Sequence, residues 1–160
     1  VQTSYKVVER CILMTTRPGD LVFDPTCGSG TTAFCAEKLG RRWITCDTSR
    51  VAINVARNRL MSAVLDQYEL RGGTVRDGFV YEAAQRVTLR SIAQGLEPET
   101  VELLDRPRVD ASAVRVAGPF EIATVGRYSA EDWRGQVVSS DPETGRAALA
   151  NYITVVAQLY

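Results

Sequence analysis

The stretch FDPTCGSGTT, residues 23–32, carries two glycines, Gly28 and Gly30, just after the apolar run Leu21-Val22-Phe23 and the acid Asp24. Glycine adopts positive φ at no steric cost and lets a ligand approach the backbone closely. A helix that starts behind such a turn offers free N–H groups to an electron-rich atom. Asp24, at the strand tip, can accept bonds from a cationic amine. A second apolar run, Trp43-Ile44-Thr45-Cys46, ends in Asp47, 17 residues after Gly30. That is where the acid contacting ribose hydroxyls lies in doubly wound folds. The plain alternative is a tight turn, with Asp24 capping the next helix and Asp47 solvated at its strand end.

Two familiar phosphate loops fit this stretch poorly. A P-loop needs Gly-Lys-Ser/Thr, whereas Gly30 is followed by Thr31 and Thr32 with no lysine. The dinucleotide fingerprint Gly-x-Gly-x-x-Gly has Ala33 at its third glycine, a replacement that motif tolerates.

Asp-Pro-Thr-Cys-Gly-Ser-Gly-Thr-Thr closely resembles the S-adenosylmethionine loop of the amino-group DNA methyltransferases, which modify adenine N6 or cytosine N4. The likeness runs back through Tyr5-Lys6-Val7-Val8-Glu9-Arg10 and Arg17-Pro18-Gly19-Asp20, with Val7 where proline is common. It continues forward through Trp43 to Asp47 and the helix beyond. It covers residues 3–65, with a fainter likeness over 78–93 and 114–125. The resemblance implies a cofactor site made of Tyr5, Lys6, Asp24, Pro25, Thr26, Cys27, Gly28, Ser29, Gly30, Thr31, Thr32, Asp47, Thr48 and Ser49. Within it Asp24 would face the methionine amino group, with Gly28 and Gly30 under the methionyl end. Asp47 would bind the ribose, Thr48 and Ser49 would lie beside the adenosine, and Tyr5 and Lys6 would close the methionine end.

Methyl transfer to a base amine also requires the base to leave its stack and be held by its amino edge. In this family an Asp/Asn/Ser-Pro-Pro-Tyr/Phe motif does that work. No Pro-Pro occurs in the chain, and the nearest stretch, Gly118-Pro119-Phe120, reads as a turn between strands. No residue is therefore assigned a catalytic role. One circular arrangement of the family places that motif upstream of the glycine loop. The chain, which begins at Val1, thus reads as a C-terminal portion cut upstream, and the apolar stripe ending at Tyr160 suggests a cut downstream as well.

Other chemistry is scarce. There is no histidine, and the cysteines, Cys11, Cys27, Cys35 and Cys46, have irregular gaps, so a zinc site or a Ser-His or Cys-His nucleophile is not expected. All but Cys27 read as small buried hydrophobes in a reducing cytoplasm. Arg41 and Arg42 could meet DNA phosphate but read better as solvated. Trp43 and Trp133 could stack on a base, but Trp43 in a buried strand reads as core. Tyr81, Arg86 and Arg90 form a loosely basic stretch that could meet substrate.

Hydrophobic periodicity supplies the elements that must hold the loop. Helical spacing over residues 6–16 is followed by the stop Arg17-Pro18-Gly19-Asp20. Strands are expected at 21–23 and 43–46, helices at 31–39, with Gly40 as C-terminal cap, and at 50–63 behind Ser49. The stripe of that last helix is apolar apart from Arg59. A third strand is expected at 68–70, and the alternation implies parallel strands with helical crossovers. Beyond Gly73, extended segments are expected within 78–89, a short helix at 98–104, and a bent strand or hairpin at 114–125. Residues 132–146 read as turn-rich and 146–160 as helical.

The expected fold is therefore α/β: a Rossmann-like cofactor-binding part over residues 1–71 and an irregular α+β tail over 72–160. The expected function is the S-adenosylmethionine-binding portion of a site-specific DNA methyltransferase, adenine N6 ahead of cytosine N4. An RNA methyltransferase fragment and a non-catalytic cofactor-binding module are the alternatives. DNA is the expected partner, through the parent protein, and a restriction subunit is a further candidate. The 19 basic and 19 acidic residues cancel, so no general field draws the chain to nucleic acid or membrane. With no apolar run near the roughly 20 residues of a membrane span and no signal peptide, a cytoplasmic location is expected.

Overall fold

In the computed structural model, residues 3–124 and 154–158 are described. Helix α1 (Tyr5–Thr15) ends at Thr16, whose N–H and hydroxyl both donate to Ile12 O, at 3.0 and 2.6 Å. Pro18 then prevents the helix from resuming. Strand β1 (Leu21–Asp24) leads through the glycine loop into α2 (Thr31–Lys38). Gly40, at φ +71°, closes that helix; a Cβ there would meet the Phe79 ring at 2.5 Å. Strand β2 (Arg42–Asp47) runs parallel to β1, with Leu21 opposite Arg42 and Asp24 opposite Thr45. Helix α3 (Arg50–Met61) starts at Ser49, whose hydroxyl accepts from Ala52 N at 3.3 Å.

The three helices share one core. Ile12 of α1, Ala33, Cys35 and Ala36 of α2, and Ile53, Ala56 and Leu60 of α3 pack with Trp43, which is 1 % exposed. Residues on a strand alternate between faces. Val22 and Trp43 accordingly face this core, while Leu21 and Phe23 remain 48 % and 62 % exposed.

Past α3 the chain departs from its expected course. β3 (Val64–Tyr68) begins four residues before the expected strand at 68–70 and pairs antiparallel with β6 (Val109–Val116). Its sequence explains this: buried Leu65 is flanked by exposed Val64 and Asp66, the alternation of a strand covered on one face. Parallel pairing is therefore seen between β1 and β2 alone among the described strands. The expected extended segment within 78–89 is β4 (Tyr81–Arg86). The short helix expected at 98–104 is instead strand β5 (Glu99–Pro107), antiparallel to β4, with half-buried Val101 and Leu103 alternating with exposed Thr100 and Glu102. A short helix does occur earlier, α4 (Leu89–Gln94), where the Thr88 and Ser91 side chains cap each other's backbone.

Residues 114–125 hold the end of β6 and then β7 (Phe120–Thr124), split at Ala117-Gly118-Pro119. The two strands do not form a hairpin with each other: β6 pairs with β3 and β7 with β8 (Thr154–Gln158). β8 also corrects the helical reading of 146–160 over its own residues. The turn-rich reading of 132–146 and Trp133 fall outside the described residues. Antiparallel β8 sits between β2 and β7, giving the order β1-β2-β8-β7, so this mixed sheet draws on both sides of the boundary at 71. Among the described residues no helix is long and apolar enough to cross a membrane.

Candidate functional site

The glycine loop is fastened at several points. Asp24 Oδ1 accepts from Thr26 N at 2.9 Å and Thr26 Oγ1 at 3.3 Å, an Asx turn at the tip of β1. Cys27 N donates to Cys46 O at 2.8 Å, which ties the loop to the end of β2. Gly28 N donates to Asp47 Oδ2 at 2.9 Å, while Asp47 Oδ1 accepts from Ser49 N at 2.8 Å. The two acids singled out by spacing thus lie on either side of the same loop.

The glycines do different jobs. Both have positive φ, +52° at Gly28 and +72° at Gly30. A Cβ on Gly28 would approach only Thr26 O, at 3.9 Å, so this side of the loop is open. A Cβ on Gly30 would lie 2.6 Å from the Ala56 Cβ. Gly30 therefore serves the packing of the loop on α3, not the approach of a ligand.

A cavity of about 320 Å³ opens over the loop. It is lined by the loop from Thr26 to Ser29, by Asp24, Thr31 and Thr32, and by Thr3 and Val8 from the α1 side. Tyr5 and Lys6 lie outside that lining. The Tyr5 ring sits 5.9 Å from Lys38 Nζ, and Lys6 faces a separate groove with Glu9 and Arg10. Pro25 and Thr48 are exposed, and Ser49 is engaged in capping α3.

Cys27 is 4 % exposed and belongs to the core, like Cys35, whereas Cys11 is exposed and Cys46 half-buried. Burial pushes the Cys27 thiol up; a hydrogen bond with Thr45 opposes this, and the charges of Asp24 and Asp47 add to the rise. Cys27 thus holds its thiol proton more tightly than a free cysteine and packs with the core. Among the described residues no group of acids and cysteines could hold a metal ion.

Three sets of contacts around the loop and its helix were not legible beforehand. Arg59 reaches from α3 to the loop, its Nη1 donating to Thr31 Oγ1 at 3.0 Å and Ser29 O at 3.4 Å. The signal available was its place as the basic member of an apolar stripe. Glu37 of α2, 4 % exposed, accepts from Trp43 Nε1 at 2.9 Å, Arg115 Nη1 at 3.1 Å and Gly118 N at 3.2 Å. Arg115 Nη2 also donates to Lys38 O at 2.9 Å, which clamps β6 to the end of the loop's helix. Arg41, read as solvated, is instead 4 % exposed, and its guanidinium donates to Leu39 O at 2.7 Å and Thr16 O at 2.8 Å. Turning inward lets it satisfy backbone carbonyls at two helix ends. Within Gly118-Pro119-Phe120, Phe120 packs against the core, its ring 5.6 Å from that of Trp43, while Pro119 is exposed.

Comparison with known proteins finds relatives of the N-terminal residues. Residues 1–58 match the family described as DNA methylase. The chain is 46 % identical over 54 residues to the type II methyltransferase M2.DpnII of Streptococcus pneumoniae, a match spanning 34 % of this chain and 20 % of that protein. It is 44 % identical over 64 residues to the type II methyltransferase M1.MboII of Moraxella bovis, covering 40 % and 23 % of the two chains. With the type II methyltransferase M.BamHI of Bacillus amyloliquefaciens the identity is 51 % over 43 residues, 27 % and 10 % of the respective lengths. The matched stretch thus spans about a fifth of the first two relatives. No solved structure matches the chain.

Proposed function

We propose, from the match of residues 1–58 to the DNA methylase family, that the chain is the S-adenosylmethionine-binding portion of a site-specific DNA methyltransferase acting on a base amine, adenine N6 ahead of cytosine N4. The single observation that supports this reading is the bond from Gly28 N to Asp47 Oδ2, which ties the acid ending β2 to the glycine loop. The residues fit the cofactor in kind. The open face of Gly28 leaves room for a ligand, and Asp24 lines the cavity beside it. Asp24 would take the amino group, the loop the methionyl end, and Asp47 the ribose. The cofactor supplies an electrophilic methyl group on a sulfonium, and the chain's own residues bind and orient it.

In this reading residues 1–71 form the cofactor-binding, Rossmann-like part, and residues 72–160 support it through β7 and β8. The protein works on DNA in the cytoplasm, and a restriction subunit is a candidate partner. Base capture belongs to a Pro-Pro motif that this chain lacks.

Calorimetry of the chain with S-adenosylhomocysteine and with ATP tests the cofactor. Binding of the former in preference to ATP is expected, because the loop has no P-loop lysine; tight ATP binding that S-adenosylhomocysteine cannot displace would refute the reading. With tritiated S-adenosylmethionine and mixed-sequence DNA, the chain alone should transfer no methyl group. Incorporation lost in Asp24→Ala would place base capture within these residues instead.

A further inference from the structure

We infer that Arg59 is a positioning residue for the glycine loop, holding the Ser29–Gly30 peptide in the one orientation that receives the methyl donor. The inference rests on the cofactor reading above. The inward stripe of α3 is otherwise apolar, with Ile53, Ala56 and Leu60 buried in the core. A half-buried guanidinium beside such a stripe is costly unless its donors are engaged. Its Nη1 donates to Ser29 O and Thr31 Oγ1, and its Cζ lies over the Phe34 ring, 4.7 Å from the centroid. The contact with the ring and the two bonds from Nη1 together fix where the guanidinium sits.

The peptide it grips is the one most in need of restraint. Ser29 stands between two positive-φ glycines, whose backbones rotate more freely than those of any other residue. The Ser29–Gly30 peptide is held from both ends: its N–H, from Gly30, donates to Cys27 O at 2.9 Å, and its carbonyl, from Ser29, accepts from Arg59. Ser29 and Thr31 line the cavity, and Arg59 stands behind them outside its lining. Arg59 therefore acts through these two residues and not on the ligand.

Two variants of the full chain test this, Arg59→Met and Arg59→Lys. The first readout needs no ligand. Amide hydrogen exchange at Gly30 should quicken at least about tenfold in Arg59→Met, the weight of roughly one charge-assisted bond, beyond any change in global stability measured by urea unfolding. Unchanged exchange would overturn the inference. The second is calorimetry with S-adenosylhomocysteine: affinity should fall about tenfold in Arg59→Met and recover in part in Arg59→Lys. Leu65→Ala, a core change on β3, serves as the control for lost stability and should keep the wild-type affinity. Equal affinities in wild type and Arg59→Met, or an equal loss in Leu65→Ala, would overturn the positioning role. A wild-type chain that binds no S-adenosylhomocysteine refutes the cofactor reading, and the exchange measurement then decides the grip of Arg59 by itself. Should Arg59→Met not fold, Arg59→Lys carries both readouts, since an ammonium lacks the planar group that lies over Phe34.

Discussion

The carboxylate of Asp47 already accepts from Gly28 N and Ser49 N, and a carboxylate has room for about four such bonds. It can therefore hold the loop and still receive two ribose hydroxyls, each charge-assisted bond contributing about 1.5–3 kcal/mol. Asp47→Ala should weaken S-adenosylhomocysteine binding by roughly 10- to 1000-fold in calorimetry, at about 1.4 kcal/mol per decade. An unchanged affinity in a folded variant would remove Asp47 from the site. The two glycines should part company in urea unfolding. Gly28→Ala meets open space and costs only left-handed strain, about 1–2 kcal/mol. Gly30→Ala adds a clash with Ala56, a further roughly 1–3 kcal/mol. Sequence made both glycines and both acids legible because their spacing alone betrays a strand–turn–helix. It could not separate the duties of Gly28 and Gly30, which depend on Ala56, a residue of a different helix.

Among the elements, α1 to α3, β1 and β2 were legible because each carries a period and a stop: Pro18 after α1, Gly40 after α2, Ser49 before α3. β5 was not, since Glu99 to Leu104 mixes acids with Val and Leu, and its strand character comes from pairing with β4. Within α2, burial pushes the Cys35 thiol up to about 11, helped by the charge of Glu9 against the opposing charges of Arg59 and Lys38. In the unfolded chain a cysteine ionises near 9.0. The raised value favours folding while both states hold the proton, and that contribution disappears as pH climbs through the window from 9.0 to about 11. Urea midpoints should accordingly fall across that window, and Cys35→Ala should flatten the decline. A slope identical in Cys35→Ala would assign the decline to other groups. By the same reasoning thiol-labelling reagents at neutral pH should find exposed Cys11 well before Cys35.

Across the whole molecule, the residues beyond 71 are bound to the N-terminal part by the Glu37–Arg115 pair and by the β2–β8 ladder. Sequence offered no sign of either, because both join positions more than 70 residues apart whose partners have no local pattern. Removing one member of a buried ion pair strands the other and costs about 3–5 kcal/mol. Arg115→Met should therefore lower stability by up to about that much, less what the partial exposure of Arg115 screens. It should also perturb Trp43 fluorescence, since Glu37 holds the indole N–H; an unshifted spectrum with unchanged stability would show that the clamp contributes nothing. The ladder between β2 and β8 has a consequence in time. Ile44 pairs with Ala157, so β2 lacks its neighbour until residue 157 has left the ribosome. At about 5–20 residues per second, that wait is on the order of ten seconds. Helices α1 to α3, β1, β2 and the glycine loop all precede residue 62 and are joined by short connections. A nascent chain should thus assemble the cavity over its glycine loop first and carry an unpaired sheet edge while residues 48–157 are made, the interval in which a chaperone has most to protect.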